Sequence, residues 1–283
     1  MRQTSNVLYI AVDGLIPLHG KAVPGLDEFT AALDHAGIPA VWLTNRSRLQ
    51  FDDARRKYAH THPFVVEDGS CVCLPEDYFH LRPDSSTAHP RGSKTVRLGR
   101  FTCIPIAEAL PAASDALESL SEETAVPVVT LRSLSPRELV QNSGLPLREA
   151  ELARQRDFDE LFFFAGADDD HIAKFLAEAK NRRLQLRQQG VLWSLSIGAN
   201  TQHCIRDLSK LFDRALRYHA HTVGIATPEL AHGLFPFCER TILLTSKKNA
   251  EAADAAGSSS AHSFALHAGD GWDGLLQLVS TKF

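Results

Sequence analysis

The sequence predicts an α/β protein: a core built on a parallel sheet, interrupted by an inserted α+β cap. Three observations carry this. Short apolar runs alternate with amphipathic segments from Val7 to Leu74, as strands alternate with helices in a parallel sheet. The alternation stops at Arg82–Lys94 (RPDSSTAHPRGSK), a stretch without apolar period that reads as a linker. It returns after Gly198-Ala199-Asn200.

Taken in order, Val7–Val12 (VLYIAV) is rich in β-formers and ends at the turn signal Asp13-Gly14, so a buried strand delivers Asp13 to its C-terminal end. After Pro24-Gly25, Leu26, Phe29, Ala32 and Leu33 keep a helical period, and Gly37 with Pro39 stops it. Ile38–Leu43 is a second strand, running into Thr44-Asn45-Arg46. A helix over 48–60 and strands at Phe64–Val66 and Cys71–Leu74 follow. Beyond the linker, a strand near 95–98 precedes a helix around 106–120 and a strand at Val126–Leu131. Ser135-Pro136-Arg137-Glu138 supplies an N-cap, a first-turn proline and an early acid. Leu147–Gln155 is helical and Leu161–Phe164 is a strand. Asp168-Asp169-Asp170 heads a long helix reaching about Gln189, with Arg182, Arg183 and Arg187 on a solvated end; Val191–Ile197 closes the block. Then come a helix at Asp207–Tyr218, strands at Thr222–Ile225 and Thr241–Leu244, a small-residue loop at Ala250–Ser260 and a final helix from Gly271-Trp272. Residues 1–82 and 204–283 therefore form an expected discontinuous core, and 83–203 the expected cap.

Composition narrows the function classes. Of 283 residues, 44% are hydrophobic and 23% charged, which suits a globular core and excludes bulk disorder. A formal net charge of -4 disfavours general nucleic-acid binding. No apolar run approaches the roughly 20 residues of a membrane span. Met1–Asn6 leads into a short run containing Asp13 rather than a signal peptide, and the five cysteines form no C-x-x-C pair. A cytoplasmic location with reduced thiols is the expectation.

Several segments carry a more specific likeness. Pro63–Gly69 (PFVVEDG), Leu134–Val140 (LSPRELV), Ser143–Ala150 (SGLPLREA) and Ala153–Glu160 (ARQRDFDE), followed by Gly271-Trp272, resemble in order segments of the haloacid dehalogenase (HAD) phosphatases with a late-inserted cap. Within that superfamily the chain resembles the mannosyl-3-phosphoglycerate phosphatases. The resemblance implies a Rossmann-like core, a cap that closes on the cleft, and magnesium-dependent transfer of a phosphoryl group to a first-strand aspartate within D-x-D-G-T. It also implies a second aspartate acting as general acid and base.

The motifs that should perform this chemistry are degenerate. Gly14 aligns Asp13 with the general acid and leaves Ala11 at the nucleophile position. Thr44, with Asn45 and Arg46, matches the second motif, and Arg46 is a candidate for holding phosphate. Asp207-Leu208-Ser209-Lys210 aligns Leu208 with the third-motif lysine, with Lys210 two places on. Gly224–Glu229 retains a single acid, Glu229, and puts Ile225 at a magnesium carboxylate. Magnesium needs several hard oxygen donors, so the expected cation site, with only Glu229 and the Asp13 backbone carbonyl left, is weak.

The sequence therefore points to a pseudophosphatase: a catalytically impaired HAD fold that binds an anionic or phosphorylated small molecule, or a protein partner. Asp13, Gly14, Thr44, Asn45, Arg46 and Lys210 are the candidate core residues, and Arg154, Arg156 and Glu160 the candidate cap residues. No cofactor is expected. The alternative is a working magnesium-dependent phosphatase for a sugar phosphate or glycosyl-3-phosphoglycerate with a rearranged site, Asp13 serving as base for water. His60-Thr61-His62 and His219-Ala220-His221 each place histidines two apart, but neither motif contains further metal ligands.

Overall fold

The structure is a computed structural model that describes residues 6–16, 22–81, 95–245, 261–265 and 271–281. The linker at 82–94 and the loop expected around 250–260 lie outside them. The first half of the core comprises β1 (Asn6–Ala11), a 3-10 turn at Val12–Gly14, α1 (Leu26–Ala36), β2 (Ala40–Leu43), α2 (Arg48–Arg56), β3 (Phe64–Val66), β4 (Cys71–Leu74), β5 (Val96–Leu98) and β6 (Phe101–Pro105). Next come α3 (Leu110–Thr124), β7 (Val128–Thr130), α4 (Pro136–Ser143), α5 (Leu147–Ala153), β8 (Glu160–Phe164), α6 (Asp169–Asn181), β9 (Gln185–Gln189) and β10 (Leu192–Ser196). The chain closes with α7 (Thr201–Leu216), β11 (His221–Ala226), α8 (Pro228–Leu234), β12 (Arg240–Thr245), β13 (Ala261–Ala265) and α9 (Gly271–Thr281).

Two sheets result. Nine strands run β13-β12-β11-β1-β2-β3-β4-β6-β5, and four run β7-β8-β10-β9. From β13 to β3 every pairing is parallel, with β1 central between β11 and β2. β4, β6 and β5 add antiparallel strands at one end. β1 is apolar throughout because both faces are covered: Leu8 and Ile10 point into one core cluster with Phe29, Trp42 and Leu275, while Val7 and Tyr9 point into the other with Leu208, Leu211 and Phe212. The Tyr9 hydroxyl shares a 3.0 Å hydrogen bond with Ser209 Oγ, so its polar end is satisfied in the core.

The inserted module has its own hydrophobic centre. Phe162 and Leu195 of the small sheet pack with Leu117, Leu120 and Phe175 of α3 and α6. Leu161 packs with Leu139, Leu145 and Ala150 around α4 and α5. The expected cap of α4 is present: Ser135 and Glu138 form a reciprocal capping box.

Three expectations are corrected. The second sheet begins only at Val128, because β6 pairs with β4 and β5 with β6; residues 96–105 thus belong to the nine-stranded core sheet, not to a cap starting at 83. The helix expected to reach Gln189 ends at Asn181, and 185–189 is a strand paired with β10. The helix expected from Asp207 starts six residues earlier at Thr201, where the Asn200 side chain accepts from the His203 amide. β6, α8 and β13 were not foreseen. Among the described residues no helix is long and apolar enough to cross a membrane.

Candidate functional site

Three parallel strands, β11, β1 and β2, end side by side. The turns after β1 and β2 carry Asp13 and Thr44 into a cleft beyond their carboxyl ends, where open α/β sheets place ligands, and Thr227 after β11 packs beside Gly14. Ala11, Asp13, Thr44, Asn45, Asp68, Gly69, Arg187, Thr201, Leu230, His232 and Gly233 line its inner part. A shallower continuation adds Gln188, Gln189, Asn200, Gln202 and Glu229.

Asp13 is held tightly. Thr44 Oγ1 donates to its Oδ1 at 2.6 Å, and the Asn45 amide donates to Oδ2 at 2.7 Å. Arg46 Nε stands 3.7 Å from Oδ1, while Arg46 Nη2 donates to the Ile16 carbonyl. Burial raises the pKa of the Asp13 carboxyl, opposed by Arg46, Thr44 and the Asn45 amide. Thr44 is not the cap of the following helix; Ser47 is, accepting from the Gln50 amide. Gly14 is required by proximity, since a Cβ there would stand 2.6 Å from Thr227 Cγ2.

The wall opposite is Asp68, one residue past Glu67 and before Gly69. Gly69, at φ +90°, lies so close to α7 that a Cβ would stand 2.6 Å from the Thr201 nitrogen. The Asp68 carboxylate accepts from Arg187 Nη1 at 3.4 Å and from Gln189 Nε2 at 3.2 Å. Burial pushes its pKa up to about 6, with Arg187 pulling the other way and the carboxylates of Asp159 and Asp13 adding to the rise. Arg187 and Gln189 lie on β9, so it is this cap strand that closes over the cleft.

Beside the cleft a buried ionic cluster joins cap to core. Glu67 accepts the amides of Asp157, Phe158 and Asp159 at 2.8–3.0 Å. Arg156 grips Asp159 with two hydrogen bonds, at 2.5 and 2.7 Å, and donates to the Asn45 carbonyl at 2.8 Å. Burial and the Asp159 carboxylate push Glu67 up to about 8, against the pull of Arg156. Ser47 donating to the Leu152 carbonyl and Arg48 to Asp157, at 2.7 and 2.8 Å, complete the junction.

The candidate residues thus separate. Ala11, Asp13, Thr44 and Asn45 meet in the cleft, and Glu229 stands exposed on its rim. Arg46 is buried behind Asp13 and faces a different hollow with Gln50 and Tyr58. Arg156 braces the cleft through the Asn45 carbonyl, whereas Arg154 donates to the Leu134 carbonyl at 3.3 Å and lines a separate hollow with Arg132. Glu160 is buried inside the cap, taking Ser114 at 2.7 Å and Arg132 at 2.6 Å, so it is not free for ligand. Lys210 is exposed, nine residues and about 13.5 Å along α7 from the cleft-lining Thr201.

The third and fourth motif assignments move for the same reason. Leu208 and Ile225 are each no more than 1% exposed, in the two core clusters; Thr201 and Thr227 are what the chain presents beside the cleft and the Asp13-Gly14 turn. Sequence reasoning also missed Asp68, Arg187 and His232. Asp68 was visible only inside the Glu67-Asp68-Gly69 likeness, and Arg187 was misread as a helix end.

The cleft does not fit magnesium. Beside Asp13, Ala11 offers only a methyl group, which ligates no metal, and Thr227 next to Gly14 offers a hydroxyl. Asp13 is occupied by Thr44 and Asn45, and Asp68 by Arg187 and Gln189. Magnesium holds its shell through carboxylates or phosphates, and here each inner carboxylate is already committed to protein donors.

The fold is that of the HAD-like hydrolases. A phosphatase of the haloalkanoate (HAD) superfamily from Bacteroides thetaiotaomicron superposes with TM-score 0.60 at 13% identity, over 98% of this chain and 96% of that one. In sequence the chain is similar to two glucosyl-3-phosphoglycerate/mannosyl-3-phosphoglycerate phosphatases. That of Methanococcoides burtonii is 21% identical over 73% of each chain, and that of Persephonella marina 23% identical over 77% of each. No protein-family model matches the chain. In fold and in sequence the chain is thus similar to HAD phosphatases.

Proposed function

We propose that this protein is a HAD-fold pseudophosphatase: it does not hydrolyse phosphomonoesters, and it uses the cleft to bind a phosphorylated small molecule. The observation that carries the reading is Ala11, whose methyl group lines the cleft at the end of β1 two residues before Asp13. A methyl group forms no bond to phosphorus, so the covalent route through an aspartyl phosphate is closed. Thr227 and Thr201 beside it supply neither a carboxylate nor an ammonium group, which removes charge compensation as well.

What the cleft retains is suited to holding an anion. Arg187 reaches in from the cap, Thr201 offers a hydroxyl, and the first turn of the 16-residue α7 directs its positive end to the same place. An incoming phosphate takes Arg187 from Asp68. The substrates in the relatives' names, glucosyl- and mannosyl-3-phosphoglycerate, head the ligand candidates.

Calorimetric titration with 3-phosphoglycerate and inorganic phosphate tests the binding half. Saturable binding that weakens about tenfold or more in Arg187→Ala supports the reading. Absence of saturation, or equal affinity in Arg187→Ala, contradicts it.

A further inference from the structure

At the end of the core sheet away from the cleft, the structure supplies His219-Ala220-His221 with the ligands its sequence motif lacks. His221 is the first residue of β11 and Ala226 the last, so about 16 Å of strand separates this place from the cleft. Glu239, just before β12, reaches both rings: its Oε1 lies 2.9 Å from His219 Nε2, and its Oε2 lies 2.6 Å from His221 Nδ1. One ligand atom from each of the three residues falls within 4.8 Å of the others.

We propose that His219 Nε2, His221 Nδ1 and the Glu239 carboxylate form a binding site for one divalent transition metal ion of the zinc class. Zinc takes imidazole nitrogen and carboxylate oxygen at about 2.0–2.2 Å in tetrahedral geometry, which sets ligand atoms about 3.3 Å apart. The two nitrogen–carboxylate contacts, at 2.9 and 2.6 Å, open by about 0.4 and 0.7 Å to reach that spacing, the three ligand atoms already lie within 4.8 Å of one another, and water takes the fourth position. Two neutral imidazoles and a carboxylate suit zinc far better than magnesium, which prefers an all-oxygen shell.

A second feature is independent of the three ligands. The other nitrogen of His219, Nδ1, faces Asp213 Oδ2 at 3.4 Å, and Asp213 Oδ1 is fixed by the Ala220 amide at 2.8 Å. A carboxylate behind a metal-binding histidine sets its tautomer and ring orientation. Glu239 is positioned in turn, its amide donating to Thr222 Oγ1 at 2.9 Å. The side chains are open to entry: His219 is 59% exposed, His221 36% and Glu239 41%. The bound ion ties the α7–β11 connection to the start of β12, a structural clamp independent of cleft chemistry.

The test is titration of the chelator-stripped full chain with Zn²⁺ against a chromogenic competitor, together with Co²⁺ absorption spectra and thermal melts. One equivalent binds, the melting temperature rises, and Co²⁺ gives a tetrahedral visible spectrum. His221→Ala and the near-isosteric Glu239→Gln each weaken Zn²⁺ binding by roughly a hundredfold or more. Asp213→Asn weakens it about 10–100-fold while the Co²⁺ spectrum persists. The exposed His171, paired with Asp168 at 2.6 Å elsewhere, is the control, and His171→Ala leaves binding unchanged. Less than half an equivalent bound, or undiminished affinity in the folded Glu239→Gln chain, overturns the proposal.

Discussion

Leu208→Lys separates two ways of laying the third phosphatase motif on α7. If Leu208 stood at the cleft, a lysine there would be accepted and would restore a phosphate-neutralising charge. The structure instead buries Leu208 completely among Val7, Tyr9, Leu211 and Phe212. Removing a buried leucine costs about 2–5 kcal/mol, of which the lysine stem recovers part. Keeping a lysine neutral at pH 7, against an ordinary pKa near 10.4, costs roughly 4–5 kcal/mol more. The sum, roughly 5–8 kcal/mol, rivals the whole stability of an ordinary domain, about 5–15 kcal/mol. Thr201→Lys, on the cleft lining, should stay within about 1 kcal/mol of wild type. Urea unfolding followed by the fluorescence of the buried Trp42 measures both. A Leu208→Lys chain with the wild-type midpoint, beside a Thr201→Lys chain that unfolds, would refute the placement of α7. It follows that a repair of the active site pairs Ala11→Asp with Thr201→Lys and Thr227→Asp, not with changes at Leu208 and Ile225.

Two further outcomes rest on the junction and the cleft wall. Glu67→Ala strands three amides and leaves Arg156 with Asp159 as its remaining carboxylate; it should cost about 3 kcal/mol or more in urea unfolding, and a loss below 1 kcal/mol contradicts the role given to Glu67. Asp68 keeps its proton in the folded chain up to about pH 6, above its ordinary value, so its charge weighs against the fold once the pH rises past 6, and that penalty fades towards pH 4. Asp68→Asn should therefore stabilise by about 1–2 kcal/mol at pH 8, allowing for a side chain 20% exposed, and by little at pH 4.5; melts showing the reverse order contradict the assignment.

Much of the core was legible because its signals are local. The Val7–Val12 run, the Gly37 stop, the Ser135–Glu138 cap and the Asp13-Gly14 turn each depend on neighbours a few residues away. The expectation of a HAD-like fold with an inserted cap holds. What the sequence concealed depends on tertiary pairing. β6 is a short apolar run whose membership of the core sheet is set by β4, not by its own pattern. β9 is polar, Gln-Leu-Arg-Gln-Gln, because it is an edge strand over the cleft, so no apolar alternation marked it. With β9 read as helix, Arg187 fell on a solvent face, while Arg154, Arg156 and Glu160 were the cap candidates because their segment resembles the family's cap. In the structure Arg156 braces the junction with the core, Glu160 lies inside the cap, and Arg154 donates to the Leu134 carbonyl. Matching motifs by a single Asp at 207 slid the third motif along α7, and only burial shows that Leu208 belongs to the core.

The measurement that bears most directly on the central claim is phosphate release from mannosyl-3-phosphoglycerate, glucosyl-3-phosphoglycerate and a panel of sugar phosphates, with magnesium present and an Asp13→Ala control beside the wild type. The account predicts no turnover above that control, since nothing at Ala11 attacks phosphorus. Robust turnover by the wild type that vanishes in Asp13→Ala contradicts it, and would make Asp13 the base for direct attack by water.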